Sequence, residues 1–199
     1  MSLSQMRSFV VHRWLVFGVL LSALTPACYA QAIRARPAIS VGPKPALVIL
    51  GSLTIAASPT SASFTLVSGG VSNAPSVTVT TSWLVVALGS ASLDVYGYFT
   101  SPGTALQNTT NSSFVIPSSA VFGQVSGTAG IVSSFTAFTQ ATPQASASGL
   151  HLASTTQAFL ILGLGSQTNT LSLRINLSGQ PQLPAGNYTG TLNLQAVVN

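Results

Sequence analysis

Charge is what this sequence has least of. Only 4% of its 199 residues are charged, Asp94 is the single acidic residue, and six Lys and Arg residues give a net charge of +5. An ordinary globular domain carries roughly 25% charged residues. Paired-carboxylate hydrolysis needs two acids, and most metal centres need several carboxylate, imidazole or thiolate ligands. We therefore predict no catalytic residues, no metal ligands and no cofactor-binding residues, and we expect that the protein is not an enzyme.

Cysteine is almost absent as well, because Cys28 is the only one. It lies near the end of a segment with the layout of an export signal, in which Arg7 and Arg13 precede an apolar stretch and small residues lead up to Ala30. We predict a signal peptide over residues 1–30 that is cleaved after Ala30, which leaves a chain without thiols. Two alternatives stay open: a lipoprotein that begins at Cys28, and an uncleaved anchor over residues 8–23.

Basic residues are few and unevenly placed. Beyond residue 30 there are four, and Arg34, Arg36 and Lys44 lie in the Pro-rich segment 31–45, which we interpret as a flexible leader. Nucleic-acid binders spread many more cations over one face, so no nucleic-acid partner is expected. The apolar run 46–57 is too short to cross a bilayer, and no transmembrane helix is predicted after signal cleavage.

Residues that favour helices are scarce, whereas alternation of apolar and polar residues is strong. Four segments alternate strictly, at residues 77–85, 91–99, 170–178 and 188–198. Weaker strand candidates are 47–56, 64–67, 120–125, 133–138, 150–153 and 159–164, the last apolar throughout and interpreted as a central strand. Clusters of Gly, Pro, Asn and Ser predict loops at 68–70, 101–103, 107–113, 141–149, 165–169 and 180–187. This pattern predicts an all-β protein, a single antiparallel immunoglobulin-like β-sandwich over residues 46–199.

The candidate contact residues lie on one predicted strand. Asp94, Tyr96 and Tyr98 share its polar face, and the two tyrosines would form an exposed ridge suited to a sugar ring or a protein partner. His151 is expected at the surface. A Ser-His-Asp triad from His151 and Asp94 lacks the strained Gly-x-Ser-x-Gly turn that presents a nucleophile.

The C-terminal stretch contains a turn followed by a strand. Pro184 and Gly186 suit a tight turn, and Tyr188 opens the last strand facing inward, where its hydroxyl can bond nearby backbone. The run PAGNYTGTLNLQAVV resembles the closing strand of bacterial secreted fimbrial-type β-sandwiches, in particular the spore coat protein U-like group. The resemblance implies an appendage subunit that assembles by donation of a strand from one subunit to the next.

Together these features predict a non-catalytic structural protein, exported to the periplasm, the cell surface or the medium of a bacterium. Its expected partners are other protein subunits or further copies of itself, as in a fimbrial or coat-type assembly. With so few charges to protect the sheet edges, we expect another chain to pair with one of them. The alternative is a carbohydrate- or surface-binding module that uses Tyr96 and Tyr98.

Overall fold

The structure, a computed structural model, describes residues 17–21, 31–37, 48–87, 89–159 and 163–199. Its regular elements are β-strands apart from one short 3-10 helix, Ser118–Ala120. The all-β prediction is confirmed. It follows from a chain rich in Ser, Thr and Val, which favour extended backbone, and poor in residues that favour helices.

Fifteen strands are numbered in chain order. They are β1 Phe17–Leu21, β2 Gln31–Pro37, β3 Val48–Ser58, β4 Ser61–Ala62, β5 Val71–Asn73, β6 Val77–Ala87, β7 Gly89–Tyr98, β8 Leu106–Asn108, β9 Val115–Ile116, β10 Val121–Ser126, β11 Thr136–Ala137, β12 Gln140–Thr142, β13 Ala145–Phe159, β14 Gly163–Asn176 and β15 Gly186–Val198. One sheet has nine strands in the order β12-β13-β7-β15-β1-β2-β4, with β8 and β9 paired beside β15. The other has six in the order β11-β10-β14-β6-β3, with β5 beside β14.

The two sheets share one apolar core, which makes the fold a β-sandwich. Leu171, Leu173 and Ile175 of β14 are buried together with Leu192 and Leu194 of β15 in a single cluster. The four strictly alternating segments lie in β6, β7, β14 and β15, as predicted. The described pairs are antiparallel except for β2, which runs parallel to β15.

The sequence misassigned the region between β13 and β14. Of the predicted central strand 159–164, Phe159 is the last residue of β13, Gly163 and Leu164 are the first residues of β14 in the other sheet, and residues 160–162 lie outside the described residues. The predicted loop 165–169 is wrong, since it belongs to β14 and pairs with β6. Gln167 and Asn169 of this segment are buried inside the sandwich, where the Thr155 hydroxyl donates a hydrogen bond to Gln167 Oε1.

Three weaker predictions also need correction. Residues 64–67 form no strand, although Phe64 and Leu66 are buried in the core. The predicted loop 141–149 is largely the β12–β13 hairpin, because Thr142 pairs with Ala145 across a tight turn. Of the candidate 133–138, only Thr136–Ala137 is a strand. In each case, whether the segment forms a strand depends on its pairing partner, which local composition does not specify.

The N-terminal segments pair with the last strand. β1 lies within the predicted signal peptide and runs antiparallel to residues 186–190 of β15. β2 lies within the predicted flexible leader and pairs with residues 191–196 of β15. The predicted cleavage site, Cys28, and the leader residues 38–45 lie outside the described residues.

The two ends of the sandwich are built differently. At one end, which we call the turn end (residues 48–51, 84–87, 89, 158–159 and 163–164), β6 ends and β7 begins, β13 ends and β14 begins, and β3 begins. At the opposite end, which we call the loop end (residues 101–113 and 177–187), longer connections carry Gly, Pro, Ser and Asn. Both turn-end connections pass from one sheet to the other.

Candidate functional site

Asp94, Tyr96 and His151 meet on the outer face of the nine-stranded sheet. They come together because β7 pairs antiparallel with β13, so that His151 lies opposite Tyr96. The register shifts between His151 and Ala153, which is the signature of a β-bulge. The imidazole stacks on the Tyr96 ring, with ring centroids 4.5 Å apart and planes inclined by 22°.

The Asp94 carboxylate is the centre of this cluster. Its Oδ1 lies 3.1 Å from His151 Nε2, and its Oδ2 accepts hydrogen bonds from Asn199 Nδ2 at 2.7 Å and from the Ser92 hydroxyl at 3.3 Å. Asp94 is buried, while the His151 side chain is 31% exposed. The single acid of the chain is thus held by hydrogen bonds that tie the C-terminal residue to β7.

Tyr96 and Tyr98 do not form the predicted exposed ridge. Tyr98 is only 7% exposed, because it lies in a central strand and its carbonyl accepts a hydrogen bond from Asn193 Nδ2 of β15. Tyr96 is half-buried, and burial first and the charge of Asp94 second raise the pKa of its phenol. One tyrosine of the pair is therefore available for contact, and its ring is already stacked on His151.

A shallow cavity opens beside His151. Its volume is about 290 Å³, and it is lined by Ile131, Val132, Ser133, Ser134, Thr136, Gln140 and His151. Gln140 Oε1 accepts the His151 backbone N–H, which orients the amide at the cavity wall. The lining contains three hydroxyl groups, one amide and one imidazole but no Lys, Arg, Asp or Glu, so it suits a small polar ligand that accepts and donates hydrogen bonds.

The cluster lacks the geometry of a nucleophile. In a catalytic triad the imidazole links the acid to a serine hydroxyl. Here His151 meets Asp94, but no serine hydroxyl hydrogen-bonds the ring within the described part of the chain. His151 was expected at the surface and its side chain is partly exposed, but its contact with Asp94 depends on a long-range strand pairing and on a bulge, which the sequence does not reveal.

A second candidate site is the outer edge of β3. In the described ranges β3 pairs only with β6, so it ends the six-stranded sheet. The strand is eleven residues long. It contains no charged residue and no proline, and Thr54 and Ala56 are exposed on its outer face. Charge, proline and short length are the usual protections of an edge strand, and β3 has none of them.

A third feature is the dependence of β15 on the N-terminal segments. On one side β15 pairs with β7 and β8, and on the other it pairs with β1 and β2. Residues 186–190 are joined on that second side by β1 alone. Loss of β1 would leave the backbone of Gly186–Gly190 open to another strand.

No protein-family model, curated protein or solved structure matches the chain. The described residues contain no helix that is both long and apolar enough to cross a membrane.

Proposed function

We propose that the protein is a non-catalytic structural subunit of a bacterial cell surface or extracellular assembly, built on an immunoglobulin-like sandwich and acting through protein contacts. The β3 edge is the observation that carries this proposal. Within the described ranges only β6 pairs with this strand of eleven uncharged residues, so its other edge would offer backbone groups to a strand of another chain. Main-chain hydrogen bonds would supply the contact, which needs no specialised side chains.

The N-terminal strands support the same proposal. If the chain is cleaved after Ala30, β1 is removed and the Gly186–Gly190 edge of β15 loses that partner. A processed subunit would then carry two edges available to neighbouring copies, one on each sheet. The fimbrial-type resemblance of the C-terminal run, which includes β15, fits this arrangement.

The test is the assembly state of the exported protein by analytical ultracentrifugation and electron microscopy. We expect oligomers or filaments from the native chain, and mainly monomers when Thr54→Lys and Ala56→Lys place two charges on the β3 edge. Thr109→Lys with Thr110→Lys adds the same charge to exposed positions of the loop end and should assemble normally. A native protein that stays monomeric at high concentration would contradict the proposal.

A second candidate, a carbohydrate-binding module, is favoured by the cavity beside His151. Its hydroxyl and amide lining suits a neutral sugar, and the stacked Tyr96–His151 pair forms part of its support. Glycan-array binding should be lost on Gln140→Ala and on Tyr96→Ala. Tyr98→Ala is unsuitable as a contact test, because Tyr98 is buried.

A further inference from the structure

One nitrogen of the His151 ring is engaged by the single acid of the chain. The Asp94 carboxylate, whose Oδ1 lies 3.1 Å from His151 Nε2, can only accept hydrogen bonds. The proton of this contact therefore lies on Nε2. Because a neutral imidazole has one donor nitrogen and one acceptor nitrogen, Nδ1 of His151 is then an acceptor. The contact with Asp94 thus decides which kind of group the second ring nitrogen can bind.

Asp94 is held in the orientation that this contact requires. Its second oxygen, Oδ2, accepts hydrogen bonds from Asn199 Nδ2 at 2.7 Å and from the Ser92 hydroxyl at 3.3 Å. Two backbone hydrogen bonds between Ser92 and Asn199, of 2.9 Å and 3.0 Å, keep both donors beside the carboxylate. Asp94 is therefore anchored through one oxygen while the other orients the imidazole.

The His151 ring is restrained from two further directions. The Tyr96 ring stacks on it, with centroids 4.5 Å apart and planes inclined by 22°. Gln140 Oε1 accepts the backbone N–H of His151 at 3.0 Å, which fixes the residue at the start of the ring. Stacking, a bonded backbone and a bonded Nε2 together leave the ring little freedom to turn.

The cavity beside this ring offers a ligand both donors and acceptors. Its polar lining consists of the hydroxyl groups of Ser133, Ser134 and Thr136, the Gln140 amide and the His151 imidazole. Its volume of about 290 Å³ lies at the lower limit of the roughly 300–1,000 Å³ that is usual for ligand pockets. The cavity therefore suits one sugar ring better than a longer chain.

The wall of the cavity is held by its own hydrogen bonds. Gln124 Nε2 donates to the Ser133 carbonyl at 2.7 Å, and the Thr136 hydroxyl donates to the Ser134 carbonyl at 3.1 Å. These bonds order the segment before a ligand enters, which lowers the entropy cost of binding.

Charge favours an uncharged ligand. No Lys, Arg, Asp or Glu lines the cavity. The charge in contact with its imidazole is the negative Asp94 carboxylate. An acidic sugar would meet no cation here and would be repelled by Asp94, whereas sugar hydroxyls donate and accept as the lining does.

We propose that this cavity binds one uncharged sugar ring, a hydroxyl of which donates to His151 Nδ1, and that Asp94 is the positioning residue that keeps Nδ1 an acceptor. The inference rests on the carbohydrate-binding candidate above and gives it a ligand class, neutral monosaccharide units without a carboxylate. Asp94 acts through His151 and does not itself touch the ligand.

The protonated ring nitrogen can be identified directly by nitrogen NMR, because protonated and unprotonated ring nitrogens resonate at different frequencies. The chain has two histidines, and His12→Gln leaves His151 as the only one whichever N-terminus is present. At pH 8, above the range in which a free imidazole titrates, we expect the exported protein to carry the His151 proton on Nε2. This measurement needs no ligand.

Asp94→Asn should reverse the arrangement. Asn199 Nδ2 and the Ser92 hydroxyl both donate to one side of residue 94, so the new amide should turn its oxygen towards them. Its NH₂ group then faces His151 Nε2 and donates, which moves the ring proton to Nδ1. Ser92→Ala is the matched control, because it removes one donor but keeps the carboxylate and should keep the proton on Nε2.

Binding is measured by NMR titration of the same protein with glucose, galactose, mannose and N-acetylglucosamine, and with glucuronic and galacturonic acid. We expect a neutral sugar to bind at least about fivefold more tightly than either acid. Asp94→Asn should weaken that sugar about fivefold, as the loss of one hydrogen bond predicts, and Ser92→Ala should leave it within about twofold.

Three results would overturn the proposal. The first is a native His151 that carries its proton on Nδ1. The second is an Asp94→Asn chain that moves the proton and still binds the neutral sugar as the native chain does, which leaves the carbohydrate candidate standing without this role for Asp94. The third is no binding of any neutral sugar, or equal binding of the acids, which removes the ligand class itself. The β3-edge variant Thr54→Lys with Ala56→Lys should keep its sugar binding, so the outcome is independent of the proposed assembly.

Discussion

The loop end and the turn end differ in the residues that connect their strands, which are polar at the loop end and apolar at the turn end. At the loop end the connections bond to themselves: Asn108 Oδ1 accepts the backbone N–H groups of Thr110 and Asn111, and the Tyr188 hydroxyl donates to the Pro184 carbonyl at 3.1 Å. At the turn end β6 and β7 are one residue apart in the sequence. Every residue is apolar or glycine in the segments 48–51, 84–89 and 158–164. The polar groups of the loop end thus form hydrogen bonds with each other.

This difference teaches that an apolar run in the sequence does not by itself indicate a central strand. Residues 158–164 contain the longest apolar stretch beyond residue 58, yet β13 ends and β14 begins within it. The core that buries Leu171 and Leu173 lies farther along β14. Leu164, in the same apolar stretch, is 74% exposed, so apolar composition there does not mark the core.

The largest expected effect compares two leucines of β14. Leu173 is 1% exposed in the core, whereas Leu164 is 74% exposed at the turn end. Leu173→Ala should lower the free energy of unfolding by about 2–5 kcal/mol through the cavity it leaves, and Leu194→Ala in β15 should do the same. Leu164→Ala should change it by less than about 0.5 kcal/mol. Urea denaturation measures all three, and a larger cost at Leu164 than at Leu173 would show that the turn end is part of the core.

Much of the fold was predictable from the sequence where one face of a strand meets the opposite sheet. Alternation identified β6, β7, β14 and β15 because their inward residues are apolar, as Leu171 and Leu192 are. It failed at Gln167 and Asn169, which are polar but face the interior. The Oε1 atom of Gln167 accepts a hydrogen bond from Thr155 on the other sheet, a partner that no local pattern identifies.

The second-largest expected effect comes from adding a methyl group to one glycine at each end of the sandwich. A Cβ on Gly165 would lie 2.3 Å from Trp83 Cζ2, whereas one on Gly103, at the loop end, would meet nothing within 4 Å. Gly165→Ala should therefore cost about 1–3 kcal/mol and shift the Trp83 emission, because the indole must move. Gly103→Ala should leave both stability and emission near the native values. Equal stabilities for the two variants would mean that the indole moves without cost.

The candidate site was predictable only in part. Asp94 and Tyr96 were placed on the strand and face where the structure has them, because alternation fixes the direction of neighbouring side chains. Tyr98 was expected to be exposed and is buried, since alternation distinguishes faces but not what covers each face. The contact of His151 with Asp94 joins residues 57 positions apart, and no motif marks it.

A smaller effect is expected at Arg174, near the loop end of β14. The sequence places it on the wet face, where its loss should cost little. The structure instead places its guanidinium carbon 3.6 Å from the centre of the Phe135 ring, and its Nε donates a hydrogen bond to Asn73 Oδ1 at 3.0 Å. Arg174→Ala should thus cost about 1 kcal/mol in urea denaturation, with Arg174→Lys in between. A cost below that of Leu164→Ala would show that neither contact stabilises the fold.

The smallest effect compares Tyr188 at the loop end with Tyr96 on the outer face of the nine-stranded sheet, by alkaline titration. Burial raises the pKa of Tyr188 at the loop end, where a hydrogen bond with Asn108 partly offsets the shift, and burial with the Asp94 charge raises that of Tyr96. A tyrosine in the unfolded chain loses its proton near pH 10. Because the folded state holds each proton more tightly, this share of stability is complete below about pH 10 and is lost as the pH rises through the raised values.

Urea midpoints between pH 8 and pH 11 measure this loss. Tyr96→Phe should make the alkaline decline shallower while leaving stability at pH 8 within about 0.5 kcal/mol of the native value. Tyr188→Phe should also make the decline shallower, and in addition it should cost about 1 kcal/mol at pH 8, because it removes the hydrogen bond to the Pro184 carbonyl. If Tyr188→Phe costs nothing at pH 8, the hydroxyl does not hold the loop end, and the contrast between the two ends reduces to the apolar surface around Leu164.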